Sequence, residues 1–297
     1  MRTRLAIAAL LLLLAAGCGT GASGSGDDRP QVVTAFYPLQ FLTERVGGGQ
    51  FQITDLTKPG AEPHDVELNP RQVGSISDAE LVVYLEGFQP AVDQAVAQEA
   101  HDKSLDVGGT VELLTATGDH EHLKGGKDPH IWLDPVRFAT ITDRVGERLA
   151  QVDPAHAADH RARAQAVHAE LDQLNRDYAA GLKTCQRREI VTSHTAFAYL
   201  AARYDLHEVG ITGISPEAEA SPQRLAGVAR EARATGATTI FFETLVSPKV
   251  AETIAQEVGA RTAVLDPIEG RTDPNADYFS MMRANLAALT QALGCSR

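Results

Sequence analysis

The interval from Pro154 to Leu182 constrains this chain more than any other stretch. It holds no glycine except Gly181 and no proline after its first residue. Its apolar residues Ala164, Val167, Leu171, Leu174, Tyr178 and Leu182 step by 3, 4, 3, 4 and 4. That spacing draws one face of a long amphipathic helix. Asp153-Pro154 supplies a start signal and Gly181 a stop signal. At 1.5 Å per residue such a helix spans about 40 Å, enough to run along two folding units. The chain should therefore form two lobes joined by a rigid helix, not by a loose linker.

On either side of this helix the pattern is the same. Strand-like runs lie at Gln31–Phe36, Phe51–Leu56 and Leu81–Leu85. Helical patterns follow or separate them around Leu39–Val46, Pro70–Ser77 and Pro90–Ala100. The second half repeats the alternation. Its strands fall at Glu189–Thr192, Glu208–Ile211, Thr238–Phe242 and Thr262–Leu265, and its helices at Ala196–Arg203, Pro222–Thr235, Ser247–Val258 and Tyr278–Leu293. Alternating βα units with β-branched strands predict an α/β fold, each lobe a small, mainly parallel sheet flanked by helices.

The front end reads as an export signal. Met1-Arg-Thr-Arg4 is followed by an apolar run from Leu5 to Ala16, too short to span a bilayer. Leu14-Ala-Ala-Gly-Cys18 resembles the lipobox of bacterial lipoproteins, with Ala15 standing where leucine is more usual. That resemblance implies cleavage before Cys18 and lipidation of its thiol. Residues 19–29 are rich in Gly, Ser and Asp and read as a flexible tether. The formal charge of −12 argues against a nucleic-acid partner, and loss of Arg2 and Arg4 with the leader makes the rest more acidic still. The remaining cysteines, Cys185 and Cys295, form an even pair in an exported chain, which favours a disulfide.

Three histidines sit in stiff frames. His130 lies within Asp128-Pro-His-Ile-Trp-Leu-Asp-Pro135, beside the only tryptophan, Trp132; His64 follows Glu62-Pro63; His194 ends Val191-Thr-Ser-His194. Proline fixes its own φ and restricts its predecessor, so these imidazoles are positioned. Ligands of open α/β sheets bind beyond the carboxyl ends of the strands. His64 and His194 fall there, and so does Asp266, directly after Val264-Leu265. Three imidazoles and one carboxylate suit a tetrahedral Zn2+, whereas oxygen-rich sets suit manganese, calcium or magnesium. Water or Glu243, at the end of the Thr238–Phe242 run, offers an alternative fourth ligand. Glu243 is equally placed to orient a ligand histidine, and Trp132 to pack beneath the site and fix His130.

The frames Pro63-His64-Asp65, Asp128–Pro135, Thr192-Ser-His194 and Leu265-Asp266-Pro267, with the long helix, resemble the zinc/manganese substrate-binding lipoproteins of ATP-binding-cassette importers. The resemblance runs from Val32 to the C-terminus. It implies a metal site between two lobes, with His64, His130, His194 and Asp266 as ligands. It further implies a monomer, lipid-anchored on the extracytoplasmic face of the cell membrane, that delivers its ion to a membrane permease and catalyses no reaction. Manganese-type members tend to carry glutamate at the third position; His194 stands there, which leans towards Zn2+, with Mn2+ the alternative cargo. The implied organisation is a leader (1–17), a lipidated tether (18–30), an N-terminal lobe (31–152), a linking helix (153–183) and a C-terminal lobe (184–297).

Other features compete with this reading. The His/Asp-rich loop of zinc-type members is short here, reduced to Asp119-His-Glu-His122, and His120 and His122 read as solvated. His156 and His160, spaced i and i+4, read as a wet helix face. A zinc hydrolase would need an open coordination position and a general base, and no His-Glu-x-x-His helix is present. An adhesion lipoprotein with a structural metal is the remaining rival.

Overall fold

The computed structural model describes residues 28–116 and 126–296. The expected leader (1–17), Cys18, His120 and His122 lie outside the described residues. The first lobe contains β1 (Gln31–Thr34), α1 (Tyr37–Gly47), β2 (Gln52–Asp55), α2 (Pro70–Asp78), β3 (Leu81–Tyr84), α3 (Pro90–Glu99) and β4 (Ser104–Asp106). Its strands are parallel in the order β2-β1-β3-β4. Two helices follow, α4 (Pro135–Val152) and α5 (Ala157–Gly181), separated by a single 3-10 turn at Pro154–His156. The second lobe contains β5 (Glu189–Thr192), α6 (Ala198–Tyr204), β6 (His207–Gly210), α7 (Pro222–Thr235), β7 (Thr239–Phe242), α8 (Lys249–Val258), β8 (Arg261–Val264) and α9 (Tyr278–Leu293). Its parallel order, β6-β5-β7-β8, repeats that of the first sheet.

Local chemistry sets the helix starts. Asn69 caps α2 by accepting from the Arg71 and Gln72 amides, Gln72 bonds back to the Asn69 amide, and Pro70 opens the first turn. Asp134 caps α4 by accepting from the Val136 amide, again with proline next. Two elements, β4 and α4, lie outside the strands and helices expected from the sequence. The first is only three residues long, and the second begins inside the histidine phrase at Pro135. Its buried Phe138, Ile141, Val145 and Leu149 nevertheless carry a helical period.

The long-helix stripe is entirely buried: Ala164, Val167, Leu171, Leu174, Tyr178 and Leu182 are all 3% exposed or less. α5 packs along α4 so closely at Gly146 that a Cβ there would stand 2.6 Å from the Ala164 Cβ. His160 departs from the expected wet face. It is fully buried, its Nε2 3.1 Å from Asp153 Oδ2 and its ring 5.1 Å from that of Phe51. Tertiary packing of α1 and of Phe51, just before β2, against the start of α5 covers it, which helical spacing alone does not reveal.

One hydrophobic core runs through both lobes, from Val32 and Phe36 through Trp132 and Leu171 to Phe241 and Tyr278. A smaller cluster of Val191, Val209, Val228, Ile240 and Ile254 lies against α7 and α8. Polar ties reinforce the shared core. Tyr199 of α6 donates to Asp128 O (2.7 Å) and accepts from the Leu114 amide (2.9 Å). Arg203 of α6 grips the buried Asp134 carboxylate with two bonds, 3.0 and 2.7 Å. Cys185, just past α5, is disulfide-bonded to Cys295 at the end of α9. No helix among the described residues is long and apolar enough to cross a membrane.

Candidate metal centre

His64 lies in the loop between β2 and α2. The Pro63 carbonyl accepts from Gln89 Nε2 (3.1 Å), Glu62 Oε1 accepts from the His64 amide (2.9 Å), and the Phe88 ring meets the imidazole edge-on at 4.6 Å. His130 is held by one oxygen. Asp128 Oδ1 lies 2.9 Å from both its backbone nitrogen and its Nδ1. His194 follows β5, and its Nδ1 lies 2.9 Å from Oε1 of Glu243, which follows β7. β5 and β7 are the neighbours from which the chain crosses in opposite directions, the place where such sheets bind ligands. Carboxylates on Nδ1 fix the tautomer of His130 and His194 and leave each Nε2 lone pair for a ligand.

These imidazoles converge on Glu269, whose Oε1 lies 3.3 Å from His64 Nε2, 3.0 Å from His130 Nε2 and 3.2 Å from His194 Nε2. His130 Nε2 and His194 Nε2 are 3.4 Å apart. All four ligand atoms lie within 4.8 Å of one another, and the four residues are 7% exposed or less. The spacing has a direct chemical reading. Zinc–ligand bonds of about 2.0–2.1 Å in tetrahedral geometry place ligand atoms roughly 3.3 Å apart. The four distances above match the edges of such a tetrahedron. Glu269 Oε2 is buried with no hydrogen-bond partner among the described residues, an uncompensated acceptor that a cation would satisfy.

Asp266 does not join this cluster. Its Oδ1 accepts from the Ile268 amide (2.8 Å) and its Oδ2 from the Thr244 hydroxyl (2.8 Å), so both oxygens are spent on shaping the turn. The carboxylate that clusters with the imidazoles comes from the same loop three residues later, at Glu269. The sequence frame pointed to Asp266, whereas the carboxylate of this loop that faces the three imidazoles is that of Glu269. Glu243 stands behind His194 and is not one of the four clustered groups. Trp132 packs against His130 with ring centroids 5.3 Å apart, and its Nε1 donates to Pro267 O (2.7 Å). It thereby ties the His130 turn to the Glu269 turn.

The electrostatics are those of a charged, buried cluster. Burial opposes charge on every member. For His130, Asp128 and Glu269 outweigh burial and push the imidazole up to about 9. Against the same burial penalty, Glu243 and Glu269 hold His194 well above the usual histidine range. Burial prevails for His64 and lowers it, although Glu269 opposes. Burial would raise Glu269, but His194 and His64 hold it well below the usual carboxylate range. Burial, then the charge of Glu269, pushes the Glu62 carboxyl up to about 8. A cleft of about 1020 Å³ between the lobes reaches the site at His64, with Asp65, Phe88, Ala198 and Glu208 on its walls.

Two lobes with a buried three-histidine, one-carboxylate site between them define a metal-binding receptor architecture. Residues 32–292 match the family described as zinc-uptake complex component A, periplasmic (ZnuA), and the chain belongs to that family. It is 33% identical over 287 residues to the zinc-binding protein AdcA of Streptococcus pyogenes serotype M3, covering 89% of this chain and 56% of AdcA, so it spans about half the length of that relative. It is 32% identical over 290 residues to the high-affinity zinc uptake system protein ZnuA of Bacillus subtilis, covering 91% and 90%. Among solved structures, it superposes on the laminin-binding protein of Streptococcus agalactiae with a TM-score of 0.81 at 31% identity, covering 89% of this chain and 99% of that one. The Zn(II)-bound ZnuA-like domain of Streptococcus pneumoniae AdcA gives 0.77 at 32% identity, covering 89% and 99%.

Proposed function

We propose that this chain is an extracytoplasmic receptor that captures Zn2+ and delivers it to the permease of an ATP-binding-cassette importer. The carrying observation is the buried set of His64, His130, His194 and Glu269, four of whose six mutual distances, 3.0–3.4 Å, fit the edges of a zinc-centred tetrahedron. Three nitrogens favour zinc over manganese. Four protein ligands leave no open position for a reacting water, so the site serves capture and not hydrolysis. In this reading Cys18 carries the lipid anchor, residues 18–30 tether the receptor, and lobes 31–152 and 184–297 share the linking helix 153–183.

Metal-stripped protein titrated against a chelating zinc indicator tests the reading. The expected result is one zinc per chain, with affinity reduced at least 100-fold in His194→Ala and in Glu269→Gln. Wild-type affinity in both variants would refute the site. Growth under zinc limitation tests delivery. Wild type should support it and His194→Ala should not.

A further inference from the structure

The turn that presents Glu269 is built against its own backbone preference. Ile268 has φ of 58° and is fully buried. A β-branched residue is a genuine outlier there, and such a conformation persists only where its surroundings over-determine it. The surroundings here converge on one residue. Asp266 Oδ1 accepts from the Ile268 amide and Oδ2 from the Thr244 hydroxyl at the end of β7. The Asp266 amide donates to Asn285 Oδ1 (2.9 Å), and Asn285 Nδ2 donates to the Asp266 carbonyl (2.6 Å). Pro267 is pinned through its carbonyl by Trp132 Nε1. These polar contacts thus stop one residue short of Glu269, whose carboxylate faces the three imidazoles.

We propose that Asp266 is a positioning residue for metal capture. It holds Ile268 in the left-handed conformation that aims Glu269 into the site, and it touches no metal itself. The inference rests on Glu269 as a zinc ligand. Without the brace, Ile268 relaxes to negative φ, the Glu269 carboxylate swings away, and the ion keeps only its three imidazoles.

Zinc release from loaded protein into excess chelator, and the visible spectrum of the Co2+-substituted protein, test this on the full mature chain. Asp266→Ala should release zinc about 10–100-fold faster, as is typical when a partner behind a ligand is lost. Its Co2+ spectrum should depart from that of a four-ligand tetrahedral site. Asp266→Asn should recover most of both effects, because its carbonyl still accepts from Ile268 and its amide can donate to Thr244 Oγ1. Thr244→Val, which removes only one arm of the brace and leaves Asp266 in place, should give a several-fold acceleration. Wild-type rates and spectrum in Asp266→Ala or Thr244→Val would overturn the proposal, as would Asp266→Asn behaving like Asp266→Ala, since direct ligation would then be indicated. Glu269→Gln separates the two levels. If it binds zinc normally, the site assignment itself fails; if it is impaired while Asp266→Ala is not, only the brace fails.

Discussion

Asp128→Asn should weaken zinc binding by an amount that depends on pH, and the dependence is the informative part. Asp128 is fully buried, and its Oδ1 serves both the amide and Nδ1 of His130 at 2.9 Å. Asparagine keeps an oxygen acceptor there and removes the charge. With zinc bound, the carboxylate makes His130 a stronger donor, and losing it should cost about 10–100-fold, or about 1.4–2.8 kcal/mol. In the zinc-free protein the same charge works the other way. Against the burial penalty, Asp128 and Glu269 push His130 up to about 9. At pH 7 zinc must therefore displace a proton held some two pH units too tightly, at a cost of about 2.7 kcal/mol. Removing the Asp128 charge lowers that cost. The two effects largely offset at pH 7, whereas at pH 9 and above only the weaker donor remains. Chelator competition between pH 6.5 and 9.5 should show a deficit of 10–100-fold at the alkaline end that shrinks to a few-fold at neutral pH. A deficit independent of pH, or none at pH 9, would refute the assigned role of Asp128.

The same shift predicts how zinc stabilises the fold. A histidine raised above its ordinary 6.5 stabilises the zinc-free protein below about pH 6.5, and that contribution is lost as pH rises through about 9. The zinc-induced rise in Tm should therefore grow across this window; a constant rise by calorimetry would contradict it. Asp134→Ala strips the buried partner of Arg203 and Arg137 and should cost about 3 kcal/mol, discounted because both arginines are partly exposed. That corresponds to a Tm lower by roughly 6–12 °C, and an unchanged Tm would sink the clamp. Gly146→Ala sets a helix-propensity gain of about 1 kcal/mol against overpacking of about 1–3 kcal/mol at a 2.6 Å approach to Ala164. Net destabilisation is expected in urea unfolding, and a more stable variant would show that α4 and α5 separate freely. Reducing Cys185–Cys295 should lower stability by about 2–4 kcal/mol with zinc affinity kept, because the bridge joins the ends of α5 and α9, and Cys185 precedes β5 whereas His194 follows the strand's opposite end.

Much of this architecture is legible in the sequence because it is periodic. The six-residue stripe along α5 and its C-cap Leu182 is a pattern of spacing, and every member of it is buried. The histidine frames are legible because proline restricts local backbone choices at Pro63 and Pro129 whatever the tertiary context. The fourth ligand is not legible in that way. Asp266 and Glu269 share one loop, and which carboxylate turns inward depends on a positive φ at Ile268. A glycine there would have signalled the turn, but isoleucine signals the opposite, so sequence favours the residue directly after the strand. His160 is hidden for a related reason. Its spacing from His156 places it on the helix surface, and only the packing of Val46 and Phe51 shows that this surface is interior.

The zinc-free site is assembled by protons, and this bears on how it can select and release its ion. A buried carboxylate and three imidazoles would be costly if all were unpaired. Glu269 instead faces His130 and His194 across 3.0 and 3.2 Å while Asp128 and Glu243 back the same two rings at 2.9 Å, so each imidazole that is held towards its charged form has carboxylates on both sides. Zinc then substitutes for protons within an arrangement already near tetrahedral spacing, so little conformational free energy is spent on capture. The shared core, the Arg203–Asp134 clamp and the Trp132–Pro267 bond fix the lobes together. His64 differs from the other two imidazoles. It borders the cleft, sits on a loop, and takes its carboxylate support at the backbone amide and not at Nδ1. A partner that distinguishes loaded from empty receptor must bind the two states with different free energy. The His64 loop and the cleft wall facing it border the site from the side of the cleft, and they are the surfaces on which that difference can be expressed.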